Sequence, residues 1–349
     1  MYSRSAELAL LYCRDWQGRL KKGSIQVVEK CSTNGYDIIG DIHGHGTELI
    51  ALLDNLGYFH DGISYCHPEG RRALFLGDFI DRGPHQRLVL QTVMPMVERG
   101  SARAIMGNHE FNAILFHTKD PENPGSWLRE RSDKNINQHL AFLAEYLSRP
   151  EELANVIEWF KQLPLWIDIE EGPRLIHACW HDDHIESLRS QLGPGNTLTD
   201  ELILEASRKE TDAYTSIEVL LKGLEVPIRG KFRDKDGNLR SEVRTRWWIN
   251  GNANLQEVAL PPSVSERLPA EMLAANILPG YCPEEKPVFF GHYWWKGKPE
   301  PLADNVACLD YSVAKGGSLV AYRWDRCKVL HHKKYVAVSA HSPAASHLR

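Results

Sequence analysis

The chain has 349 residues and a formal net charge of −5 at pH 7, with 42% hydrophobic and 25% charged residues. This composition is typical of a folded globular protein and excludes collagen-like repeats, wholesale disorder and a disulfide scaffold. The mild negative charge predicts neither nucleic acid nor a membrane as a partner. Seven cysteines without a C-x-x-C pair indicate a reducing compartment, so we expect a cytoplasmic protein.

Strands and helices alternate from Tyr36 to about residue 112, whereas residues 1–35 carry little pattern. We therefore interpret residues 1–35 as an N-terminal extension. The elements predicted after it are, in order, a strand at 36–39, a helix through 49–56 that Gly57 ends, a strand at 72–76, a helix through 89–97 and a strand at 102–106. Such alternation is typical of an α/β sheet with crossover helices.

The later part of the chain continues this pattern less regularly. Leu140, Leu143 and Leu147 recur at helical spacing and predict the apolar face of one helix, and a second helix follows before residue 163. Further strands are predicted at 174–176, 287–290, 306–310 and 318–324.

The polar segment 185–285 predicts an insertion, which includes a hairpin centred on Asp236-Gly237. Ser, Ala and His dominate the C-terminal end, which is typical of a loose tail. We therefore expect a single domain over 36–330 with an insertion at about 185–285, followed by a loose tail at 331–349. The pattern leaves open whether the insertion acts as a lid.

Five predicted turns share one design, because each follows an apolar strand and offers Asp, Asn or His. Their polar residues are Asp41 and His43, Asp78 and Asp81, Asn108 and His109, His177, and His292. Loops at the carboxyl ends of strands converge on a binding site in open α/β sheets. Oxygen and nitrogen ligands without a thiolate suit a divalent metal such as Mn, Fe or Zn. A bridging carboxylate can hold two such ions ~3.5–4 Å apart.

Three of these segments resemble the signature motifs of the metallophosphoesterases, the calcineurin-like superfamily. They are Gly40-Asp41-Ile42-His43-Gly44, Gly77-Asp78-Phe79-Ile80-Asp81-Arg82-Gly83 and Gly107-Asn108-His109-Glu110. The Asp-Arg-Gly ending and the Asn-His-Glu form resemble the phosphoprotein-phosphatase-like branch, and His177 and His292 supply its two later histidines. The resemblance implies an α/β fold with a two-sheet β-sandwich, flanking helices and a helical and hairpin insertion.

The resemblance also implies a role for each polar residue. The implied metal ligands are Asp41 and His43 for the first ion, Asp78 as the bridge, and Asn108, His177 and His292 for the second ion. His109 would be the general acid, oriented by Asp81, while Arg82 and Asn108 would bind the substrate phosphate. The implied cofactors are two divalent metal ions, with Mn²⁺ as the first choice and Fe or Zn as alternatives.

The function implied by this branch is hydrolysis of phosphate monoesters, as in Ser/Thr phosphoprotein phosphatases, by attack of a metal-bridging hydroxide. The expected partner is a phosphorylated substrate, either a phosphoprotein or a small phosphoester or nucleotide. The sequence around His177 departs from the branch, because Ala178-Cys179-Trp180 follows where the phosphatases have Gly-Gly. We interpret Glu110 as a structural residue that orients its loop.

Two features keep other functions open. Phe290-Gly291-His292-Tyr293-Trp294 and the segment 308–324 resemble symmetrical diadenosine tetraphosphate hydrolases, which makes dinucleoside polyphosphate hydrolysis the alternative. A non-catalytic binding module on the same fold is a remote alternative. The intact set of predicted ligands argues against that module.

Two arginines of the predicted hairpin are further candidates. Arg244 and Arg246 alternate on one strand, so they share a face. That face could simply be solvated, or it could supply a second contact to the substrate phosphate. The pairs Trp247-Trp248 and Trp294-Trp295 could stack a nucleobase or pack in the core.

Overall fold

The computed structural model describes residues 13–14, 20–21, 34–233, 239–274 and 277–340. The chain divides into two units, Met1–Thr33 and Asn34–Arg349. The strands are β1 (Cys13–Arg14), β2 (Leu20–Lys21), β3 (Tyr36–Ile39), β4 (Phe59–His60), β5 (Tyr65–Cys66), β6 (Arg72–Phe75), β7 (Ala102–Ala104), β8 (Trp166–Asp168), β9 (Arg174–Ile176), β10 (Glu225–Arg233), β11 (Leu239–Thr245), β12 (Ala259–Leu260), β13 (Val288–Phe290), β14 (Val306–Cys308), β15 (Asp310–Tyr311), β16 (Ser318–Trp324) and β17 (Tyr335–Ser339).

Helices connect most of these strands. They are α1 (Gly46–Leu56), α2 (Gln86–Glu98), α3 (Asn108–His117), α4 (Asp133–Tyr146), α5 (Pro150–Lys161), α6 (Asp182–Arg189), α7 (Asp200–Ala206), α8 (Asp212–Lys222), α9 (Leu255–Val258) and α10 (Pro262–Ser265), with 3-10 turns at Val313–Lys315 and His332–Lys334. Among the described residues, no helix is both long and apolar enough to cross a membrane.

Two sheets form the centre of the second unit. The first has the strand order β15-β16-β3-β6-β7, with β17 added on β16, and the second has the order β14-β13-β9-β8. Strands β3, β6 and β7 run parallel, and so do β9, β13 and β14. Their carboxyl ends therefore carry the loops that the sequence predicts as the site.

Alternate residues of the central strands belong to two different buried cores. Ile38 and Leu74 of the first sheet belong to the same buried cluster as Leu175 and Phe289 of the second. Their chain neighbours, such as Ile39, face the other side and belong to the larger core that includes the helices. Because successive side chains of a strand point to opposite faces, each central strand contributes to both cores. The predicted α/β sandwich with flanking helices is confirmed.

The first two helices form as their apolar spacing predicts. Leu49, Leu52 and Leu56 on α1 are fully buried, and α2 buries Val89 in the same core. Gly57 ends α1 in the left-handed region, with φ +89°, and its N–H donates to the carbonyl of Asp54. Glycine adopts this conformation without the steric cost that a Cβ would add.

The predicted face of α4 is right at Leu143, which is buried, and wrong at Leu140 and Leu147. Leu140 and Leu147 are exposed by 54% and 71%, whereas His139, Phe142 and Tyr146 are buried. The buried face is thus shifted by one residue from the leucine series, because the aromatic residues fill the space beside α5. This shift matters for the site, since it turns His139 inward.

The predicted strand at 306–310 is two strands in different sheets. β14 pairs with β13 in the second sheet, and β15 pairs with β16 in the first. The chain crosses between the sheets at Leu309, directly against Gly40. A Cβ on Gly40 would lie 2.1 Å from the Leu309 carbonyl oxygen, so this crossing requires glycine.

Between Ile176 and Val288 the chain leaves the second sheet. This segment contains α6, α7 and α8, the small sheet β10-β11-β12, α9 and α10. Val226, Val243 and Leu255 anchor a separate buried cluster there. The predicted hairpin corresponds to β10 and β11, which pair antiparallel, while its turn at Asp236-Gly237 lies outside the described residues.

The prediction of a loose tail over 331–349 is wrong for β17. Residues Tyr335–Ser339 pair antiparallel with residues Ser318–Tyr322 of β16. Val336 and Val338 pack against the main core, and this burial holds the strand in place. Residues 341–349 lie outside the described part of the chain.

Candidate active site

The site is built from loops at the carboxyl ends of β3, β6, β7, β9 and β13. Six residues of these loops that are not glycine have a left-handed backbone: His43 (φ 46°), Asp78 (50°), Asp81 (69°), Arg82 (70°), His292 (68°) and Trp294 (56°). This conformation is unfavourable for residues with a Cβ and clusters at functional sites.

Asp78 lies at the centre of the site, and each of its two carboxylate oxygens faces a different histidine. Its Oδ2 is 3.6 Å from His43 Nε2, and its Oδ1 is 3.4 Å from His177 Nε2. Asn108 Oδ1 is 3.3 Å from the same His177 nitrogen. Among the described residues, two groups that could hold a metal ion share Asp78. One adds His43 and His109, and the other adds His177 and His292.

Asp41 reaches the same centre from the end of β3. Its Oδ2 accepts a hydrogen bond of 2.9 Å from the His292 backbone N–H. Its Oδ1 lies against Gly291, where a Cβ would approach to 1.9 Å. Any side chain at 291 would displace this carboxylate, which explains the glycine before His292.

The histidines present the nitrogen that a metal requires. His43 Nδ1 donates to the Ile80 carbonyl at 3.2 Å, and His177 Nδ1 donates to the Leu76 carbonyl at 2.7 Å. Both bonds fix the tautomer that leaves the Nε2 lone pair free. In the described part of the chain, the buried atoms His43 Nε2 and Asp41 Oδ1 have no hydrogen-bond partner. Buried polar atoms need a partner, and a divalent cation would supply it.

The charges of the site also fit cations. Burial raises the pKa of Asp41 well above its usual value, and the nearby carboxylates Asp310 and Asp78 add to the effect. Burial lowers the pKa of His43 to about 3, which keeps that imidazole neutral and able to bind metal. Burial opposes protonation of His177 too, but the Asp78 charge outweighs it and raises the pKa to about 10. A metal would replace that proton.

His109 and Asp81 form a closely hydrogen-bonded pair. His109 Nδ1 donates to Asp81 Oδ2 at 2.5 Å. Burial alone would lower the pKa of His109, but the charge of Asp78 and the bond to Asp81 outweigh it, so the pKa is raised. A protonated imidazole beside the candidate metal ligands can act as a general acid.

Two buried side chains hold the loops in place. Glu110 accepts three backbone N–H bonds of 2.8–2.9 Å, from Asp78, Phe79 and Gly107. Gln86 accepts from the Asp81 N–H at 2.7 Å and donates to the Gly83 carbonyl. The structural role predicted for Glu110 therefore agrees with its contacts, since it joins the second and third motif loops.

Arg82 lies at the exposed edge of the site. Its guanidinium is 4.5 Å from the centroid of the Trp294 ring, and Lys315 Nζ is 4.8 Å from the same centroid. The Trp294 ring in turn stacks on His43 at 5.7 Å. Two exposed cations thus gather on one aromatic ring beside a candidate metal ligand.

The two hairpin arginines do not share one position. Arg244 lies over the Tyr293 ring at 5.3 Å and forms an ion pair of 3.6 Å with Glu225. Arg246 lines a cavity of about 420 Å³, whose other walls are Trp248, Ile249, Trp295, Leu302 and Ala303. Arg244 is therefore near the candidate ligands, whereas Arg246 lines the side cavity with two of the four tryptophans.

The sequence comparison agrees with this geometry. Residues 36–220, more than half of the chain, match the sequence profile described as calcineurin-like phosphoesterase. The chain belongs to the calcineurin-like phosphoesterase family. The resemblance of the motifs is thereby confirmed, and the protein is a hydrolase of phosphoric esters. This family uses divalent metal ions, and the groups around Asp78 could bind them.

Two relatives are bacterial bis(5'-nucleosyl)-tetraphosphatases of the type named PrpE, asymmetrical. The protein of Halalkalibacterium halodurans is 49% identical over 155 residues, 44% of this chain and 60% of the relative. That of Oceanobacillus iheyensis is 44% identical over 154 residues, 43% of this chain and 57% of the relative. The chain therefore spans only 60% and 57% of the lengths of these two relatives.

Solved structures also match over most of the chain. A protein serine/threonine phosphatase from Saccharomyces cerevisiae, with similarity to human phosphatase PP5, aligns with a TM-score of 0.47 and 13% identity. The match covers 90% of this chain and 82% of the yeast protein.

Sequence reasoning missed three residues of this calcineurin-like phosphoesterase site. His139 donates to Asp81 Oδ1 at 2.7 Å, Asp310 accepts from the Trp294 N–H at 2.7 Å, and Lys315 contacts the Trp294 ring. His139 could have been found by a helical pattern centred on Phe142 rather than on the leucines. Asp310 and Lys315 approach the site only through the crossing at Leu309, which has no simple sequence signal.

Proposed function

We propose that this calcineurin-like phosphoesterase hydrolyses dinucleoside polyphosphates with two divalent metal ions. The observation that carries the metal assignment is the position of Asp78, whose two oxygens face His43 and His177. A carboxylate between two imidazoles on opposite sides is the arrangement that a dinuclear site requires.

The proposed ligand sets follow from the same contacts. They are Asp41, His43 and Asp78 for the first ion, and Asp78, Asn108, His177 and His292 for the second. Mn²⁺ is the proposed metal, with Fe or Zn as alternatives. When bound, two such ions lower the pKa of water and neutralise charge on phosphate oxygens.

The proposed proton donor is His109. Its Nδ1 is bound by Asp81, so its Nε2 is available to protonate the oxygen that leaves phosphorus. Arg82 would contact the phosphate oxygens, because a guanidinium binds them with two parallel N–H groups. Asn108 is the second residue proposed to contact these oxygens. Arg244, over Tyr293, is proposed as a further cation for the phosphate, while Arg246 in the side cavity has weaker support.

Two observations favour a polyphosphate substrate over a monoester. The relatives with 44–49% identity are named tetraphosphatases. In addition, Lys315 and Arg82 both lie over the Trp294 ring, so the edge of the site carries a second cation besides Arg82. A monoester has no phosphate for this second cation, whereas a polyphosphate chain does. A cytoplasmic location, predicted from the cysteine pattern, would give access to intracellular nucleotides.

Hydrolysis of phosphate monoesters is the second candidate. The Asp81-Arg82-Gly83 and Asn108-His109-Glu110 forms, which resemble phosphoprotein phosphatases, support it. Both reactions use the same metal ligands and the same proton donor, so only the substrate separates them.

The deciding experiment compares diadenosine tetraphosphate, 4-nitrophenyl phosphate and a phosphoserine peptide with the purified protein and Mn²⁺. We expect kcat/KM for the dinucleotide to exceed that for either monoester by about tenfold or more, a difference of about 1.4 kcal/mol in transition-state binding. Faster monoester turnover would transfer the assignment to a phosphatase. Product analysis then separates asymmetrical cleavage, which gives ATP and AMP, from symmetrical cleavage, which gives two ADP.

A further inference from the structure

We infer that His139 is a positioning residue that holds Asp81, and through Asp81 the proton donor His109, in the reactive orientation. The inference rests on the proposed role of His109 as general acid. It is carried by a chain of side-chain contacts that starts at His139 on α4, 29 residues after Glu110 ends the third motif.

Asp81 is held by two histidines, one on each carboxylate oxygen. His109 Nδ1 donates to Oδ2 at 2.5 Å, and His139 Nδ1 donates to Oδ1 at 2.7 Å. All three side chains are buried, with exposed fractions of 3% for Asp81, 9% for His109 and 2% for His139. Water therefore has little access to replace either bond.

His139 is itself fixed on several sides. Its ring stacks on Phe142 at 4.7 Å and 23°, and it contacts Phe116 at 5.2 Å. His139 Nε2 is 3.2 Å from His117 Nε2. Because Nδ1 carries the proton that Asp81 accepts, a neutral His139 accepts at Nε2 from His117. The resulting direction of donation, from His117 to His139 to Asp81, sets the tautomer of His139.

This arrangement has a consequence for His109. A carboxylate with one partner can rotate about its Cβ–Cγ bond, and the imidazole bonded to it then swings as well. With Oδ1 bound by His139, the carboxylate plane is fixed, and His109 Nε2 keeps one direction. Misplacement of a catalytic group by 1 Å can cost about 10²-fold in rate, so such a constraint has a measurable value.

Two substitutions separate hydrogen bonding from packing. His139→Phe keeps an aromatic ring between Phe116 and Phe142 but removes the donor. His139→Asn loses the ring but keeps an N–H three bonds from Cα, as Nδ1 is. The exposed His60→Asn is the matched control. If His139 only fills space, the Phe variant will be the more active, and if it positions Asp81, the Asn variant will be.

The readout is the dependence of rate on the leaving group. A general acid matters most when the leaving oxygen is basic, so phenyl phosphate depends on His109 more than 4-nitrophenyl phosphate does. For His139→Phe we expect kcat to fall about 10–100-fold with phenyl phosphate and about threefold or less with 4-nitrophenyl phosphate. His139→Asn should recover most of the loss with phenyl phosphate.

A second readout does not depend on turnover. The two N–H protons that His139 and His109 donate to Asp81 should give downfield proton NMR signals, because each is hydrogen-bonded to a carboxylate. Burial slows their exchange with water, so the signals should be observable. One signal should be lost in His139→Phe and the other should shift. Equal losses on both phosphates, or an unchanged signal set, would overturn the inference. If the unmodified protein hydrolyses neither diadenosine tetraphosphate nor a phosphate monoester with Mn²⁺, the proposed function fails instead, and the NMR result still tests the contact.

Discussion

The floor and the rim of the site are held by different forces. We define the floor as the motif loops of Asp41, Asp78, Asp81 and Asn108, and the rim as Arg82, Trp294 and Lys315. Buried hydrogen bonds that backbone N–H groups donate to Glu110 and Gln86 hold the floor. At the rim, the backbone N–H of Trp294 donates to Asp310, whereas the side chains of Arg82 and Lys315 contact only the face of the Trp294 ring in the interactions described above.

The difference in strength is large. Removing the acceptor of a buried N–H costs about 1–3 kcal/mol, whereas an exposed cation over an aromatic ring contributes about 0.5–1 kcal/mol. The floor is therefore rigid, and the rim can move with the substrate. A rigid floor suits chemistry common to the whole family, and an adaptable rim suits a substrate preference that differs among relatives.

The largest effect is expected at the centre of the floor. Asp78→Asn replaces the shared carboxylate with a neutral amide, so both ions lose a ligand. We expect kcat for diadenosine tetraphosphate to fall on the order of 10³-fold, in line with the loss of a principal electrostatic group. Metal content, measured by mass spectrometry, should drop below two ions per chain.

Asp304→Asn is the matched control, because Asp304 is exposed and is not one of the candidate metal ligands. It should keep full activity and metal content. Full activity of Asp78→Asn would contradict the dinuclear assignment.

The next largest effect is expected at Glu110, which supports the floor. In Glu110→Gln a single oxygen must replace two, and at least one of the N–H groups of Asp78, Phe79 and Gly107 faces an amide N–H₂. We expect the free energy of unfolding to fall by about 1–3 kcal/mol and kcat to fall about 10–100-fold. Urea unfolding and steady-state kinetics measure the two, with the exposed Glu98→Gln as control. Unchanged kcat in a destabilised variant would mean that the floor tolerates movement.

A smaller and selective effect is expected at the rim. Lys315→Ala should raise KM for diadenosine tetraphosphate about two- to fivefold, because an exposed charge contact contributes about 1 kcal/mol or less. KM for 4-nitrophenyl phosphate should not change. High salt should reduce the difference from the unmodified protein, since salt screens exposed charges. The exposed Lys298→Ala is the control, and equal KM changes for both substrates would remove Lys315 from polyphosphate binding.

The smallest expected effect is on the pH dependence of the free energy of unfolding, through His117, which contacts His139. Burial, together with the positive charge of Arg131, lowers the pKa of His117 from 6.5 to about 4. The unfolded chain therefore takes up a proton at a higher pH than the folded protein does. The contribution of neutral His117 to stability is complete above pH 6.5 and is lost as the pH falls toward 4.

His117→Phe should flatten this slope. After allowance for its partial exposure, we expect a difference on the order of 1 kcal/mol between pH 7 and pH 4. Urea unfolding at several pH values measures it, and parallel curves for the two proteins would rule out this role of His117.

The sequence predicts the floor better than its surroundings. The spacing of Asp41, Asp78, Asn108, His177 and His292 after strands was sufficient, because parallel strands bring their carboxyl ends together whatever the rest of the chain does. The α/β class and the hairpin of β10 and β11 followed from local pattern as well.

The remaining errors have one physical origin, which is tertiary packing. Leu140 and Leu147 of the predicted α4 face are exposed, because the helix buries aromatic residues against α5. The strand at 306–310 divides between two sheets, and β17 forms on the free edge of β16. None of these outcomes is encoded by spacing alone. His139, Lys315 and Asp310 depend on these packing choices, so the sequence did not reveal them.

The pairing of β3 with β16 has a consequence for how the chain is made. On one side, β3 can pair with β6 soon after both leave the ribosome, but its other edge waits for Ser318–Trp324. At about 5–20 residues per second, that wait lasts roughly 15–60 seconds. During this time an open, apolar strand edge is available to chaperones and to aggregation. His292, the last of the proposed metal ligands in the sequence, also emerges late, so a nascent or prematurely terminated chain would lack part of the proposed catalytic centre.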